Sequence, residues 1–148
     1  MSPTCPECGA AVPAGGTCRD NFHALLLLES EVPDAPGELP HFYAVGSYAL
    51  QHPDGMAYTA AALAGLRASL GDALAGRATL DAVRRRARRG AEGAWRVTRR
   101  AGDEVVRWPV RGWPMTVADV CAAGTAGYGE RVARWARSIL DTLEAAGA

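Results

Sequence analysis

The stretch CPECGAAVPAGGTCRDNFH, residues 5–23, carries three of the four cysteines of a 148-residue chain. Two residues separate Cys5 from Cys8, a spacing at which a tight turn aims two thiolates at one metal ion. Gly9 follows directly, and a glycine there can adopt a positive φ that turns backbone N–H groups towards the sulfurs. Cys18 supplies a third sulfur. The stretch therefore predicts a knuckle that holds a tetrahedral zinc ion.

Two other interpretations of the cysteines fit less well. A redox-active pair needs a preceding strand and a following helix that lower a thiol pKa, but only four residues precede Cys5. Three unrelated core thiols are not typical of so polar and loop-rich a stretch. Cys121 lies on an apolar helix face, and we expect it to be an ordinary buried thiol outside the site.

Capping boxes and apolar periodicity predict a mainly α-helical chain. Thr17 and Asp20 form such a box, so a first helix should begin near Cys18. A second helix should begin at Pro40 and end at His52, because the residue before a proline is disfavoured in a helix. Further helices are predicted over residues 63–74, 80–89, 117–123 and 128–143.

The expected fold is a small, mainly α domain with an N-terminal zinc knuckle, and alternation between Trp95 and Val110 leaves room for one short β-hairpin. The length suits a single domain over residues 1–148. Residues 5–52 would form the knuckle plus a helical hairpin, and residues 57–148 the remaining helices. No apolar run approaches the ~18 residues of a membrane span, and no signal-peptide pattern is present, so we expect a cytoplasmic protein with reduced thiols.

The fourth zinc ligand is chosen among three histidines. His23 lies five residues after Cys18, about 140° around the helix, and so tends to face elsewhere. His41 and His52 are three turns, about 16 Å, apart and cannot share one ion. A short connection makes neighbouring helices antiparallel, which returns the end of the second helix to Cys18. The preferred metal ligands are therefore Cys5, Cys8, Cys18 and His52, with His23, His41 or an oxygen ligand as alternatives for the fourth.

Four segments of the chain, CPECGA, CRDNFHALLLLE, HFYAVGSYALQHPDG and WPMTVADVCAAG, together resemble a family of small bacterial proteins known only as a domain of unknown function. The resemblance covers nearly the whole chain and is most specific in the cysteine trio and the YALQHP stretch. It implies no activity. It does imply that the family's recurring positions are Cys5, Cys8, Cys18, His41, Tyr48, Gln51 and His52.

Two functions follow from these residues. The first is a structural Cys₃His zinc site in a protein-interaction or regulatory module with an unknown protein partner, because a closed site leaves no position for substrate. The second is a metal-containing enzyme or small-ligand binder that uses His41, Tyr48 and Gln51. The sequence contains no HExxH pair, serine-nucleophile elbow or phosphate-cradling glycine loop, so enzymatic activity stays open but disfavoured.

A third function is nucleic-acid binding, because eight of the sixteen arginines fall between Arg84 and Arg100. Trp95 and Trp108 would lie nearby for base stacking. However, the formal net charge of the chain is zero, and a charge run is more often one solvated helix face. Nucleic acid is thus allowed but not favoured as a partner, and no membrane partner is expected. The candidate contact residues are Arg84, Arg85, Arg88 and Arg89.

Overall fold

A computed structural model describes residues 3–32, 38–92 and 96–148. Across these ranges the chain forms six α-helices, which confirms the expected mainly helical fold with a cysteine cluster near its N-terminus. No helix in the described ranges is long and apolar enough to cross a membrane. The helices are α1 (Cys18–Ser30), α2 (Glu38–Gln51), α3 (Ala60–Leu74), α4 (Leu80–Glu92), α5 (Val117–Ala122) and α6 (Tyr128–Ala145).

Short polar side chains fix where the helices begin. The backbone N–H of Thr17 donates to Asp20 Oδ2 at 2.7 Å, and that of Thr116 donates to Asp119 Oδ2 at 2.8 Å. Both capping boxes anticipated from the sequence are therefore formed, at the starts of α1 and α5. The hydroxyl of Thr79 accepts a hydrogen bond from the first turn of α4 at 3.1 Å. Each such bond satisfies a backbone donor that has no partner within its helix.

Helices α1 and α2 run antiparallel to each other. Contacts between them join an early residue of one helix to a late residue of the other. The joined pairs are Glu29 with His41, Phe22 with Tyr48, and Cys18 with His52. The end of α2 consequently lies beside the start of α1, where the cysteine-rich segment enters the helical part of the fold.

The core is built mainly between α2 and α6, with α3 packed against both and α5 packed against α1. One face of α6 is completely buried. Its side chains follow the helical period, so α6 presents a continuous apolar stripe to α2 and α3. The fully buried residues on this stripe are Val132, Trp135, Ala136, Ile139 and Leu143.

The expected β-hairpin between Trp95 and Val110 does not form within residues 96–110, the described part of that segment. Thr98 instead pairs antiparallel with Tyr58. Backbone hydrogen bonds of 2.8 Å on either side of this pair also connect the segment to the turn before α3. Trp108 donates its indole N–H to Leu50 O at 2.7 Å, capping a carbonyl at the end of α2. The segment therefore pairs in an extended conformation at Thr98, but its partner is the turn before α3 and not a second strand of a local hairpin.

Two interior helix glycines provide a matched test of the packing. An ideal Cβ on Gly65 meets nothing within 4 Å, whereas a Cβ on Gly46 approaches Leu70 Cδ1 to 3.1 Å and Leu66 Cδ1 to 3.3 Å. We expect Gly65→Ala to raise the free energy of unfolding by about 0.5–1 kcal/mol, because alanine loses less entropy in a helix. Gly46→Ala should gain less or lose stability. Urea denaturation with an unchanged m-value measures both, and a larger gain for Gly46→Ala would contradict the described packing.

Candidate metal centre

The cysteine knuckle is a turn held by backbone hydrogen bonds. Cys5 N–H donates to Ala10 O, and Gly9 N–H donates to Cys5 O, both at 2.8 Å. Gly9 has φ +82°, a conformation that favours glycine. As a result, Ala10 N–H points at Cys8 Sγ, 3.5 Å away. A backbone donor aimed at sulfur stabilises the thiolate that a metal requires.

The knuckle is closed at its base and connected to α1. Thr4 and Ala11 form an antiparallel bridge, so residues 3–12 fold back on themselves. The side-chain amide of Asn21 donates to Ala11 O at 2.9 Å, and it also lies 3.8 Å from Cys18 Sγ. One α1 side chain therefore contacts both the knuckle and the third cysteine.

Four potential ligands meet at one point beneath this knuckle. Their ligand atoms all lie within 4.8 Å of one another, and the group could hold a metal ion. The sulfurs of Cys8 and Cys18 are 3.6 Å apart, close to the ~3.8 Å edge of a tetrahedron with 2.3 Å zinc–sulfur bonds. The cysteines form no disulfide. The four residues are Cys5, Cys8, Cys18 and His52, none of them more than 6% exposed.

The imidazole of His52 is oriented with one nitrogen facing the sulfurs. Its Nδ1 lies 2.7 Å from Tyr48 O; because a carbonyl only accepts, Nδ1 carries the proton and donates. Nε2 then has a free lone pair, is buried, and has no hydrogen-bond partner among the described residues. A buried nitrogen without a partner is costly. Its position beside three thiols makes a metal ion the partner that fits.

Aromatic stacking fixes the plane of this imidazole. Tyr48 lies parallel to the His52 ring at a centroid distance of 3.9 Å, and Phe22 stacks on the other face of Tyr48 at 4.2 Å. Phe22 belongs to α1, so the stack joins both helices of the hairpin. Burial raises the pKa of the Tyr48 hydroxyl, which keeps this ring neutral. The imidazole is thus held in place by packing as well as by its hydrogen bond.

The electrostatics of the cluster favour one thiolate even among the protein groups alone. A hydrogen bond from the Cys8 thiol is the largest of the effects that together lower the pKa of Cys18 to about 4; His52 and Asn21 also lower it, whereas burial opposes them. The same hydrogen bond raises the pKa of Cys8, and burial adds to that effect. One thiol therefore donates to its neighbour, an arrangement that a bound cation would replace by direct ligation of both sulfurs.

The family of this chain is now identifiable. A family model described as "Family of unknown function (DUF5946)" matches residues 3–144. The chain belongs to the DUF5946 family. The resemblance seen in the sequence is confirmed, and it brings no known activity with it. No curated protein and no solved structure matches the chain.

A second connection holds the knuckle of this DUF5946 member against the turn that follows His52. The carboxylate of Glu7 accepts hydrogen bonds from Asp54 N–H at 2.9 Å and from Gly55 N–H at 3.1 Å. Arg19 donates to Gly55 O at 3.2 Å, and Trp113 donates its indole N–H to Glu7 O at 3.2 Å. Glu7, one of the two residues between Cys5 and Cys8, thus fixes the loop beside His52. No local sequence pattern marks Glu7 for this role.

The two alternative histidines lie outside the cluster. His23 is exposed on α1. His41 is exposed as well, and its Nδ1 lies 2.6 Å from Glu29 Oε2. Tyr128 donates its hydroxyl to the other oxygen of Glu29 at 2.7 Å, and its pKa is raised by burial and by this bond. Glu29 therefore joins the end of α1 to the starts of α2 and α6, through His41 and Tyr128, and His41 lies away from the sulfurs.

The ligand-binding candidates His41, Tyr48 and Gln51 are not brought together as one group. Tyr48 lies in the ring stack, and His41 lies at the opposite end of α2. Gln51 uses both ends of its amide inside the core: Nε2 donates to Met115 O at 2.8 Å, and Oε1 accepts from Trp135 Nε1 at 3.3 Å. Gln51 thus joins α2 to α6. Ligand binding by these three residues stays a prediction.

The arginine candidates occupy the outer surface of α4. Arg84, Arg85, Arg88 and Arg89 are all exposed. Trp95 lies outside the described residues, and Trp108 is half-buried with its indole N–H bound to the end of α2. Nucleic-acid binding by these arginines stays a prediction.

Cys121 is partly exposed on α5, outside the cluster, and is not the buried thiol expected from its helix face.

We expect His52→Ala to reduce metal affinity strongly and to lower the melting temperature. The loss should exceed the roughly 10–100-fold caused by removing an outer hydrogen-bond partner of a ligand. His41→Ala is the matched control, because it removes an imidazole from the same helix but not from the cluster. Competition with a chromophoric chelator measures affinity. Equal losses in both variants would contradict the assignment of His52.

Proposed function

We propose that this protein binds one zinc ion through Cys5, Cys8, Cys18 and His52 in a closed structural site, and that it serves as a non-enzymatic protein-interaction or regulatory module. The observation that carries the proposal is the buried Nε2 of His52, which has no hydrogen-bond partner among the described residues and lies beside three thiols that form no disulfide. A group of three sulfurs and one imidazole is a common donor set of structural zinc sites.

Zinc is favoured over other ions by the donor chemistry. Thiolates select soft or borderline ions, whereas calcium and magnesium take oxygen ligands. A mixed set of three sulfurs and one nitrogen suits tetrahedral zinc, whose d¹⁰ shell imposes no other geometry. The reduced thiols that such a site requires also agree with a cytoplasmic location, which stays a prediction.

The proposed role of the ion is to fasten the N-terminal segment to the helical hairpin. Residues 3–12 contain no aromatic, leucine or isoleucine side chain, so they bury only small apolar groups such as Ala10, and hydrogen bonds supply further contacts that hold them. A metal ion bonded to both the knuckle and His52 adds a strong cross-link between segments distant in sequence. Structural zinc contributes about 10–16 kcal/mol in zinc-finger peptides, enough to decide whether such a segment is folded.

Burial of the ligands supports a structural role over a catalytic one. Catalytic zinc keeps one coordination position for water or substrate. Here four protein groups would fill all four positions of a tetrahedral ion, and each is at least 94% buried. A protein of this kind would act through the surface that the metal keeps folded, and we infer that its partner is another protein.

Metal analysis of the purified protein tests this proposal. We expect one zinc per chain in protein kept reduced, with the ion lost in Cys5→Ser, Cys8→Ser and Cys18→Ser. Cys121→Ser is the matched control and should retain it. On chelation, hydrogen exchange should accelerate over residues 3–16 and 52–56 before it does in α6. Stoichiometric iron, or a metal-free protein with unchanged exchange, would contradict the proposal.

The exposed arginines of α4 provide a test of the competing nucleic-acid function. Because a protein–phosphate contact releases counterions, binding through these arginines would weaken steeply as salt rises. We expect no complex tighter than ~10⁻⁶ M with random DNA or RNA near physiological salt. Fluorescence anisotropy measures this. A submicromolar, salt-sensitive complex lost in the double variant Arg84→Glu/Arg88→Glu would favour the nucleic-acid function instead.

A further inference from the structure

A cavity of about 380 Å³ lies between α2, α3 and α4, away from the cysteine cluster. Small side chains from all three helices form much of its wall. Phe42 and Leu66 add larger apolar surfaces. The glycine and alanine residues that contribute to the wall from these helices include Gly46, Ala49, Ala62, Gly65 and Ala87. Its volume falls within the ~300–1,000 Å³ range of small-molecule sites in proteins.

The cavity opens to the protein surface, because several of its wall residues, among them Gly65, Arg86 and Ala87, are exposed. Here no side chain in the described ranges fills the space, and a Cβ added to Gly65 would meet nothing within 4 Å. An open apolar concavity exposes apolar side chains to water, and a ligand that covers them gains the free energy of removing that surface from water. The apolar wall residues are therefore available for contacts with a molecule of matching shape.

Two polar groups in the wall define the chemistry of such a molecule. Ser69 is only 8% exposed, and its hydroxyl forms no hydrogen bond with any residue the structure describes. Arg86 gives one of its donors to Asp72 Oδ2 at 2.8 Å, which leaves other guanidinium N–H groups available. No acidic side chain of the described chain lines the cavity itself. The wall thus offers an unused hydroxyl and a cation, both suited to an anionic oxygen.

We propose that this cavity binds a monocarboxylate with an unbranched apolar tail, its carboxylate facing Arg86 and Ser69 and its tail lying among α2, α3 and α4. Arginine and hydroxyl donors match carboxylate oxygens, and a charge-assisted bond is stronger than a neutral one. The α2 residues that line the cavity, such as Val45 and Ala49, differ from those at the cluster, Tyr48 and His52. This site is therefore independent of the proposed zinc function.

Calorimetric titration of decanoate into the purified full chain tests the proposal. Decyltrimethylammonium, which has the same tail and the opposite charge, is the control ligand. We expect saturable one-to-one binding of decanoate and none of the cation. Arg86→Gln should weaken decanoate binding about tenfold, the effect of one charge-assisted hydrogen bond. Arg85→Gln, next to it on α4 and outside the cavity wall, should leave the affinity unchanged.

Filling the cavity provides the second arm of the experiment. Ala62→Leu extends a buried wall residue into the space and should abolish decanoate binding, whereas Ala61→Leu on the exposed side of α3 should preserve it. If circular dichroism shows that Ala62→Leu is unfolded, Ala87→Leu fills the cavity from α4. Absence of saturable decanoate binding to the folded protein, equal binding of the ammonium ligand, or retained binding in the filled variant overturns the proposal.

Discussion

The free lone pair of His52 is the constraint around which the N-terminal half of this protein is organised. The imidazole is buried, its Nδ1 donates to Tyr48 O, and its plane is set by the ring stack with Tyr48 and Phe22. Nothing in that arrangement satisfies Nε2. The three sulfurs that surround it come from the knuckle and from the start of α1. A soft cation at the centre of the cluster would bind all four ligand atoms at once. It would thereby link the knuckle and the start of α1 to the residue that follows α2.

Residues from other parts of the fold hold the end of α2, and with it His52, in position. Gln51, next to His52 in sequence, is bonded to Trp135 and Met115 O, so α6 holds the end of α2 in position. Trp108 donates to Leu50 O at the same helix end. Glu7 then binds the turn after His52 through two backbone N–H groups. The histidine is therefore positioned by the core, and the knuckle is positioned relative to the histidine.

Local sequence patterns were sufficient to predict the parts of this structure that depend on interactions between residues close in sequence. The capping boxes at Thr17 and Thr116 are formed, and the spacing of Cys5 and Cys8 produces the tight turn. The placement of His52 beside Cys18 follows from the antiparallel packing that helices joined by a short connection usually adopt. Each of these inferences uses residues within one element or one hairpin.

Features that depend on distant partners were not predictable in this way. In the sequence, Glu7 has only the features of an ordinary loop carboxylate. Folding alone brings it close to Asp54 and Gly55. Alternation around Thr98 indicated an extended segment, but its pairing with Tyr58 is a long-range choice that competes with a local hairpin. The cavity beside Gly65 arises where three helices meet with small residues, and no single pattern marks that coincidence.

X-ray absorption spectroscopy of the metal-loaded protein at the zinc edge tests the central claim most directly. A closed site formed by Cys5, Cys8, Cys18 and His52 predicts three sulfur scatterers at ~2.3 Å and one nitrogen at ~2.0–2.1 Å, with the outer-shell signal of one imidazole. The same spectrum should persist in His41→Ala and lose its imidazole signal in His52→Ala. A first shell with two sulfurs or fewer, or with a water oxygen in place of the imidazole, would contradict a closed structural site.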